Sequence, residues 1–144
     1  MGEESGLDSG TGELIALARK LGEKVGVSIV GDLDAAAQAV SLGADRVYML
    51  GGEALVNGGR DAALQAHEWV CSETEPGAVL LPRTDAGSEL GPRLAARLGA
   101  ALAQDCTSVG LDPDGKLTAT RPVYGGNAVA RVSFAPGKTG LAIV

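Results

Sequence analysis

The first candidate for chemistry is a loop that contains Thr84, Gly87 and Ser88. It follows a short apolar run, Ala78-Val-Leu-Leu-Pro82, which predicts a β-strand, and it leads into a helical pattern over residues 88–99. Backbone N–H groups at a helix start and the helix dipole together attract anions. The three residues are therefore candidate phosphate-binding residues, and an ordinary strand–loop–helix unit without a ligand is the alternative.

A second candidate is the pair His67 and Cys71, four residues apart in a segment that predicts a helix. Such a pair can activate a thiol for nucleophilic chemistry. The plainer interpretation is a partly exposed histidine and a cysteine that packs as a small apolar residue. Ser88 lacks a Gly-x-Ser-x-Gly frame, and Asp112 and Asp114 belong to a predicted turn. We therefore expect no catalytic residues, no metal site and a protein that is not an enzyme.

Two glycine-containing motifs only partly match nucleotide-binding patterns. Gly10-Thr-Gly12 begins a G-x-G-x-x-G fingerprint, but Ile15 occupies the last glycine position and no strand precedes the motif. Pro136-Gly-Lys-Thr139 resembles the end of a P-loop, but Val132 stands where the first glycine belongs. Neither motif predicts a nucleotide site.

The elements that must position these residues alternate between strands and helices. Such alternation predicts βαβ units with right-handed crossovers, and hence an α/β fold with an open, wound, mainly parallel sheet flanked by helices. In the helix over residues 88–99, Arg93 and Arg97 lie on one face, Pro92 is expected near the start and Gly99 ends the helix. The predicted helices cover residues 12–22 with Thr11 as N-cap, 35–42 with Asp32 or Asp34 as N-cap, 60–74 and 88–99, and the predicted strands cover residues 26–31, 45–50 and 78–81.

The pattern changes after Gly99. Strand-like runs at residues 104–111, 116–124, 127–135 and 141–144 are separated by turn signals at Asp112-Pro-Asp-Gly115 and Tyr124-Gly-Gly-Asn127. They predict an antiparallel C-terminal β extension. We therefore expect a single domain over residues 1–144, with a flexible lead at 1–11, a wound α/β part at 12–100 and the extension at 101–144.

Composition excludes several classes of partner. A net charge of −6 argues against nucleic acid, whose binding needs clustered Lys and Arg. No apolar run approaches the roughly 20 residues of a membrane-spanning helix.

Two distant cysteines and an acidic, glycine-rich start without a signal-peptide pattern predict a reduced, cytoplasmic protein. With only 3% aromatic residues, the core must consist of Ala, Val, Leu and Ile, with Gly allowing close packing.

Two stretches of the chain resemble the α subunit of electron transfer flavoproteins. They are residues 80–107 (LLPRTDAGSELGPRLAARLGAALAQDCT) and residues 115–127 (GKLTATRPVYGGN), in the same order as in that family. Residues 41–48 (SLGADRVY) fit the family more loosely, and the similarity extends from about Gly12 onwards. The resemblance implies the N-terminal domain of the α subunit, a Rossmann-like fold related to adenine-nucleotide-binding modules.

The resemblance also implies a function. Family members pair with a β subunit, carry FAD, and shuttle electrons from dehydrogenases such as acyl-CoA dehydrogenases to a quinone reductase or another acceptor. In such an assembly this domain is expected to be a scaffold that docks the β subunit. The candidate partner contacts are Arg93, Arg97, Arg121 and Tyr124.

The chain departs from the family pattern in two places. The family domain opens with an apolar strand that residues 1–11 do not offer, so we expect a vacant sheet position that another strand fills, for example one from a second chain. The family also continues into a second domain that supplies most α-subunit contacts to FAD, so this chain alone is expected to bind FAD poorly. The alternatives are a small module that binds AMP or another adenine nucleotide, and a structural homodimerisation domain.

Overall fold

The structure, a computed structural model, describes residues 7–144, except for the side chains of residues 54 and 56. The chain divides into two compact units, one ending at Val70 and one from Cys71 to Val144. No helix in the described range is long and apolar enough to cross a membrane. In chain order the elements are α1 (Ser9–Leu21), β1 (Gly26–Val30), α2 (Leu33–Ser41), β2 (Arg46–Leu50), α3 (Glu53–Thr74), β3 (Ala78–Leu81), α4 (Asp85–Leu98), β4 (Ala101–Ala103), β5 (Ser108–Leu111), β6 (Leu117–Val123), β7 (Ala128–Ser133) and β8 (Gly140–Ile143).

The first unit is built on a pair of parallel strands. β1 and β2 pair from Gly26 opposite Arg46 to Val30 opposite Leu50, and among the described residues β1 has no strand on its other edge. Small and branched apolar side chains fill the core, as the aromatic-poor composition requires. The buried members of this core are Ile15, Val25, Val27, Ala39 and Ala44, with Leu7, Ala18, Ile29 and Val47 packed against them.

A carboxylate ties this core to the first helix. Asp45 accepts a hydrogen bond from the Val25 N–H at 2.8 Å and one from the Arg19 guanidinium at 3.0 Å. The bond from the Val25 N–H, assisted by Arg19, holds the pKa of Asp45 below its ordinary value. Asp45 therefore joins the end of α1 to the start of β2 as an anion.

All four helices begin earlier than predicted, at Ser9, Leu33, Glu53 and Asp85. Asp8 is the N-cap of α1 because its Oδ1 accepts from the Thr11 N–H at 2.7 Å, so the prediction of Thr11 as N-cap and of a flexible lead through residue 11 is wrong from Ser9 onwards. Residues 1–6 of that lead lie outside the described range. α3 begins at Glu53 and is kinked at Gly59, whose angles are non-helical, so the loop prediction is wrong for residues 53–58, whereas the helix predicted from Arg60 follows the kink. Asp32 is the N-cap of α2, as expected.

In the first unit, α3 is joined to β1 by a side-chain hydrogen bond. His67 Nδ1 lies 2.8 Å from Ser28 Oγ. Burial lowers the pKa of His67 below its ordinary value, so the folded chain favours the neutral imidazole. His67 is therefore a partly exposed structural residue, as the plainer interpretation expected, and its ring has a hydrogen-bond partner that the sequence did not predict.

The second unit contains a parallel and an antiparallel sheet. β8 lies between β3 and β4 and is parallel to both, and β5, β6 and β7 form an antiparallel sheet in that order. The prediction that residues 101–144 are antiparallel throughout is wrong for β4 and β8. Leu141, Ala142 and Ile143 are at most 1% exposed, which is the continuous burial of a central parallel strand rather than the alternation of a half-exposed one.

The predicted fold class is confirmed: the protein is α/β, with mainly parallel strands flanked by helices and an antiparallel sheet near the C-terminus. The hairpin turn at residues 124–127 is confirmed as well, because Gly125 and Gly126 have φ of 65° and 90° between β6 and β7. The Asp112 to Gly115 turn closes with a 2.9 Å backbone hydrogen bond. The predicted single-domain organisation over residues 1–144 stays a prediction.

Close packing of the two sheets of the second unit depends on Gly140. A Cβ at this position would lie 2.6 Å from Phe134 Cδ1 and 3.0 Å from Leu117 Cδ2. We predict that Gly140→Ala lowers the free energy of unfolding by about 1–3 kcal/mol, the usual cost of overpacking a core. Chemical denaturation followed by circular dichroism measures this change.

Gly77→Ala is the matched control. The Gly77 carbonyl accepts from the Gly140 N–H at 3.1 Å, but a Cβ at Gly77 would meet no atom within 4 Å. The control should be neutral or slightly stabilising, since it only restricts the unfolded chain. Equal stabilities for the two variants would contradict the packing argument.

The neutral state of His67 predicts a pH dependence of stability. The chain has one histidine, which takes up a proton near pH 6.5 when unfolded but only at lower pH when folded. The unfolded state therefore binds more protons below about pH 6.5, and the free energy of unfolding falls as the pH is lowered through that range. Urea unfolding at pH 7.5 and 5.5 should show a larger loss for wild type than for His67→Gln. The same loss in both proteins would refute the assignment.

Candidate functional site

The start of α4 brings Thr84, Gly87 and Ser88 together, but as a helix cap. Thr84 is the N-cap, and its Oγ1 accepts from the Gly87 N–H at 3.1 Å. The Ser88 N–H donates to the Thr84 carbonyl at 2.8 Å. The amides of Gly87 and Ser88 are therefore already paired within the helix, as expected for a capped N-terminus.

Two further features shape this helix start. Gly87 is buried, and a Cβ there would overlap the Pro82 carbonyl oxygen, so the glycine is needed for a close approach of helix to strand. Asp85 places a carboxylate in the first turn, where it complements the helix dipole. A phosphate would have to displace the Thr84 hydroxyl and tolerate the Asp85 charge. Binding of phosphate by Thr84, Gly87 and Ser88 stays a prediction.

The arginines of α4 lie in the second half of the helix. Because α4 begins at Asp85, Pro92 is an interior residue, and the prediction that it lies near the start is wrong. Arg93 Nη1 is 3.4 Å from Glu89 Oε1, an ion pair one turn apart. Arg97 is exposed in the last turn, where a cation complements the helix dipole, and Gly99 ends the helix in the left-handed conformation.

The other two candidate contacts lie on the hairpin formed by β6 and β7. Tyr124 is 84% exposed at its tip, and Val129, opposite Pro122 in the register, is 67% exposed. Arg121, opposite Ala130, is only partly exposed. The structure thus places the four predicted contacts in two groups, two on α4 and two on the hairpin.

Arg121 differs from the other arginines in its surroundings. Its Nε is buried and has no hydrogen-bond partner in the described part of the chain. The side chain lines a cleft of about 130 Å³ together with β4 and residues 132–134. The sequence identified Arg121 only through the family resemblance, and no sequence pattern signals a buried guanidinium nitrogen.

The cysteines and the histidine do not form an activated nucleophile. Burial raises the pKa of the Cys71 thiol, which disfavours the reactive thiolate. Burial also raises the pKa of Cys106, although the Arg121 charge partly offsets that rise. The hydrogen-bond partner of the His67 ring is Ser28. Among residues 7–144, no group of three or more His, Cys, Asp or Glu side chains is placed to hold a metal ion.

Neither of the two features suited to an anion fits the FAD that the family resemblance implies. The cleft beside Arg121, at about 130 Å³, is well below the roughly 300–1,000 Å³ of pockets that enclose drug-sized ligands. At the start of α4, the amides of Gly87 and Ser88 are paired within the helix, and the Asp85 carboxylate in the first turn would repel a pyrophosphate. Neither feature therefore matches both the size and the charge of FAD.

Comparison with known proteins agrees with this fold. The model of the electron transfer flavoprotein domain matches residues 2–143. The chain is 34% identical over 126 residues to the electron transfer flavoprotein subunit alpha of Thermoanaerobacterium thermosaccharolyticum, covering 83% of this chain and 38% of that protein. It is 38% identical over 123 residues to protein FixB of Salmonella typhimurium, covering 85% of this chain and 39% of FixB.

A third relative gives the same result. The electron transfer flavoprotein subunit alpha of Clostridium acetobutylicum is 33% identical over 127 residues, with 83% of this chain and 38% of that protein covered. The chain thus spans less than two-fifths of the length of these relatives. Since the family model covers nearly all residues, the chain belongs to the electron transfer flavoprotein family.

Proposed function

We propose that this chain is an α-subunit-type scaffold domain that docks a β subunit within an FAD-containing electron carrier. The carrier would move electrons from a dehydrogenase, such as an acyl-CoA dehydrogenase, to a quinone reductase or another acceptor. The observation that carries the docking role is Tyr124, 84% exposed at the tip of the β6–β7 hairpin. A tyrosine held out by a tight turn is a typical anchor of protein interfaces.

The neighbourhood of Tyr124 supports an interface. Val129 is 67% exposed on the same hairpin, and Pro122 opposite it is exposed too. Together the three side chains form an apolar patch at one end of an antiparallel ribbon. The hairpin is also stiff, because β6 and β7 pair over six consecutive residue pairs. A stiff ribbon loses little conformational entropy on binding.

Arg93 and Arg97 have a supporting role in the proposed interface. Arg93 and Arg97 lie four residues apart on α4, and Arg93 is held by Glu89 at 3.4 Å. An arginine fixed in this way can form a charged contact at the rim of an interface, where it contributes more to specificity and association rate than to affinity. FAD in this proposal belongs to the assembly, since the features suited to an anion in this chain do not fit it.

The docking role predicts that Tyr124→Ala weakens binding to an electron transfer flavoprotein β subunit by roughly tenfold or more, as truncation of an interface anchor does. Isothermal titration calorimetry with the purified chain and a β subunit of the same organism measures the affinity. Trp69→Ala is the matched control: Trp69 is an exposed aromatic residue, at 60%, but lies on α3. The Trp69→Ala variant should bind the β subunit with the same affinity as wild type.

Two outcomes would overturn the proposal. One is the absence of any interaction between wild type and the β subunit. The other is equal loss of affinity in the Tyr124→Ala and Trp69→Ala variants, since a hairpin anchor must act locally. The visible spectrum of the chain purified without its partner tests the assignment of FAD to the assembly, because stoichiometric flavin would place the cofactor on this chain instead.

A further inference from the structure

The cleft beside Arg121 lies outside the docking patch on the hairpin tip. One wall is β4, which pairs with β8 along one edge and has no strand on its other edge among the described residues. The other walls are Arg121 on β6 and residues 132–134 at the end of β7. The cleft is therefore bounded by β4, which is an edge strand of its sheet, and by an antiparallel ribbon, both belonging to the second unit.

The register of the ribbon explains why Arg121 faces this cleft. Residues two apart on a strand share a face, so Arg121 lies on the same face of β6 as Ala119 and Leu117, which are 1% and 8% exposed. This is the face that packs toward Gly140 of β8, where Phe134 and Leu117 meet it. Arg121 thus lies on the buried face of β6, two residues beyond the core residue Ala119.

The charge of Arg121 has no partner within the described residues. Its Nε is buried and has no hydrogen-bond partner there, and its charge only partly offsets the burial that raises the pKa of the Cys106 thiol. Buried polar groups in native proteins are nearly always hydrogen-bonded, and a charged donor more so. The partly exposed guanidinium lines the cleft and has no acceptor among the described residues, so an acceptor from outside this chain can reach it at the part of the side chain that is not buried.

The lining restricts the chemistry of that acceptor. Arg121 is the only charged side chain among the lining residues, and most of the others, including Leu102 and Phe134, are apolar. A single planar guanidinium matches a carboxylate in a two-point geometry. A doubly charged phosphate would need further donors when desolvated. The volume of about 130 Å³ corresponds to roughly four water molecules in the liquid, enough for a carboxylate with a short alkyl chain.

We propose that the Arg121 cleft is a binding site for a short-chain carboxylate, whose oxygens accept from the guanidinium while its alkyl part lies against β4 and Phe134. The carboxylate can belong to a free small anion or to an acidic side chain of another protein. The carboxylate site does not depend on the docking role of Tyr124, so an experiment can refute either proposal without refuting the other.

The direct test uses the ¹⁵N-labelled full chain in solution and follows the Arg121 Nε–H signal during titration with sodium propionate at constant ionic strength. The expected result is a saturable shift of that signal and of the β4 amides, with a dissociation constant in the millimolar range. Capped glutamate, with its amino and α-carboxyl groups blocked, forms the second arm. Stronger binding of propionate indicates a free anion, and stronger binding of capped glutamate indicates a protein side chain.

Variants separate this site from a general charge effect. Arg121→Gln should weaken binding roughly tenfold or more, and Arg121→Lys, which keeps the charge but loses the planar fork, should also bind more weakly than wild type. Arg131→Gln is the matched control, because Arg131 is exposed on the opposite face of the same hairpin, across from Thr120. It should bind propionate as wild type does.

Three results would overturn the proposal. They are the absence of a saturable shift in wild type, an identical shift with chloride alone, and unchanged binding by a folded Arg121→Gln. The wild-type Nε–H signal reports on the site without any substitution, so misfolding of a variant leaves the test intact. Thermal unfolding is a second measurement: propionate should raise the midpoint of wild type and of Arg131→Gln above that in matched chloride.

Discussion

The second unit depends on the burial of β8 between β3 and β4. Its three central residues are almost fully inaccessible, and the flanking backbone is fixed on both sides: the Val144 N–H donates to the Leu81 carbonyl at 3.0 Å, and the Cys106 N–H donates to the Ile143 carbonyl at 2.9 Å. Removal of β8 would leave β3 and β4 without a common partner. Helix α4 also packs against this strand, and Leu117 and Phe134 meet it at Gly140.

Glycines allow α4 and the antiparallel sheet to pack closely against β8. A Cβ at Gly91 of α4 would lie 2.7 Å from Ile143 Cδ1, and one at Gly140 would lie 2.6 Å from Phe134 Cδ1. The helix and the antiparallel sheet therefore approach β8 more closely than alanine would allow. A chain with 3% aromatic residues fills its core in this way, with backbone brought near to Ile143 and to its single phenylalanine. On the same face of β6 as Leu117, Arg121 lines one cleft together with β4.

The sequence predicted the element types well and their pairing less well. Periodicity and turn residues located α2, β3 and both hairpin turns, because these depend on neighbouring residues. The position of β8 depends on pairing with strands some forty to sixty residues earlier, and Leu141-Ala-Ile reads equally well as an edge or a central strand. For the same reason, no sequence pattern signals the unpaired Nε of Arg121. The exposed position of Tyr124, in contrast, is expected from the tight turn in which it lies.

The start of α4 shows why residue types alone leave a function open. Thr84, Gly87 and Ser88 are the residues expected both of an anion site and of an ordinary N-cap, because both use the free amides of the first turn. An anion site and an N-cap differ in whether those amides are already hydrogen-bonded within the protein. Here the Thr84 hydroxyl takes one, the first helical hydrogen bond takes another, and Asp85 adds a negative charge. Two amides of the helix start are thus hydrogen-bonded internally, whereas the Arg121 guanidinium has no acceptor among the described residues, so an external anion is better matched by the cleft than by the motif.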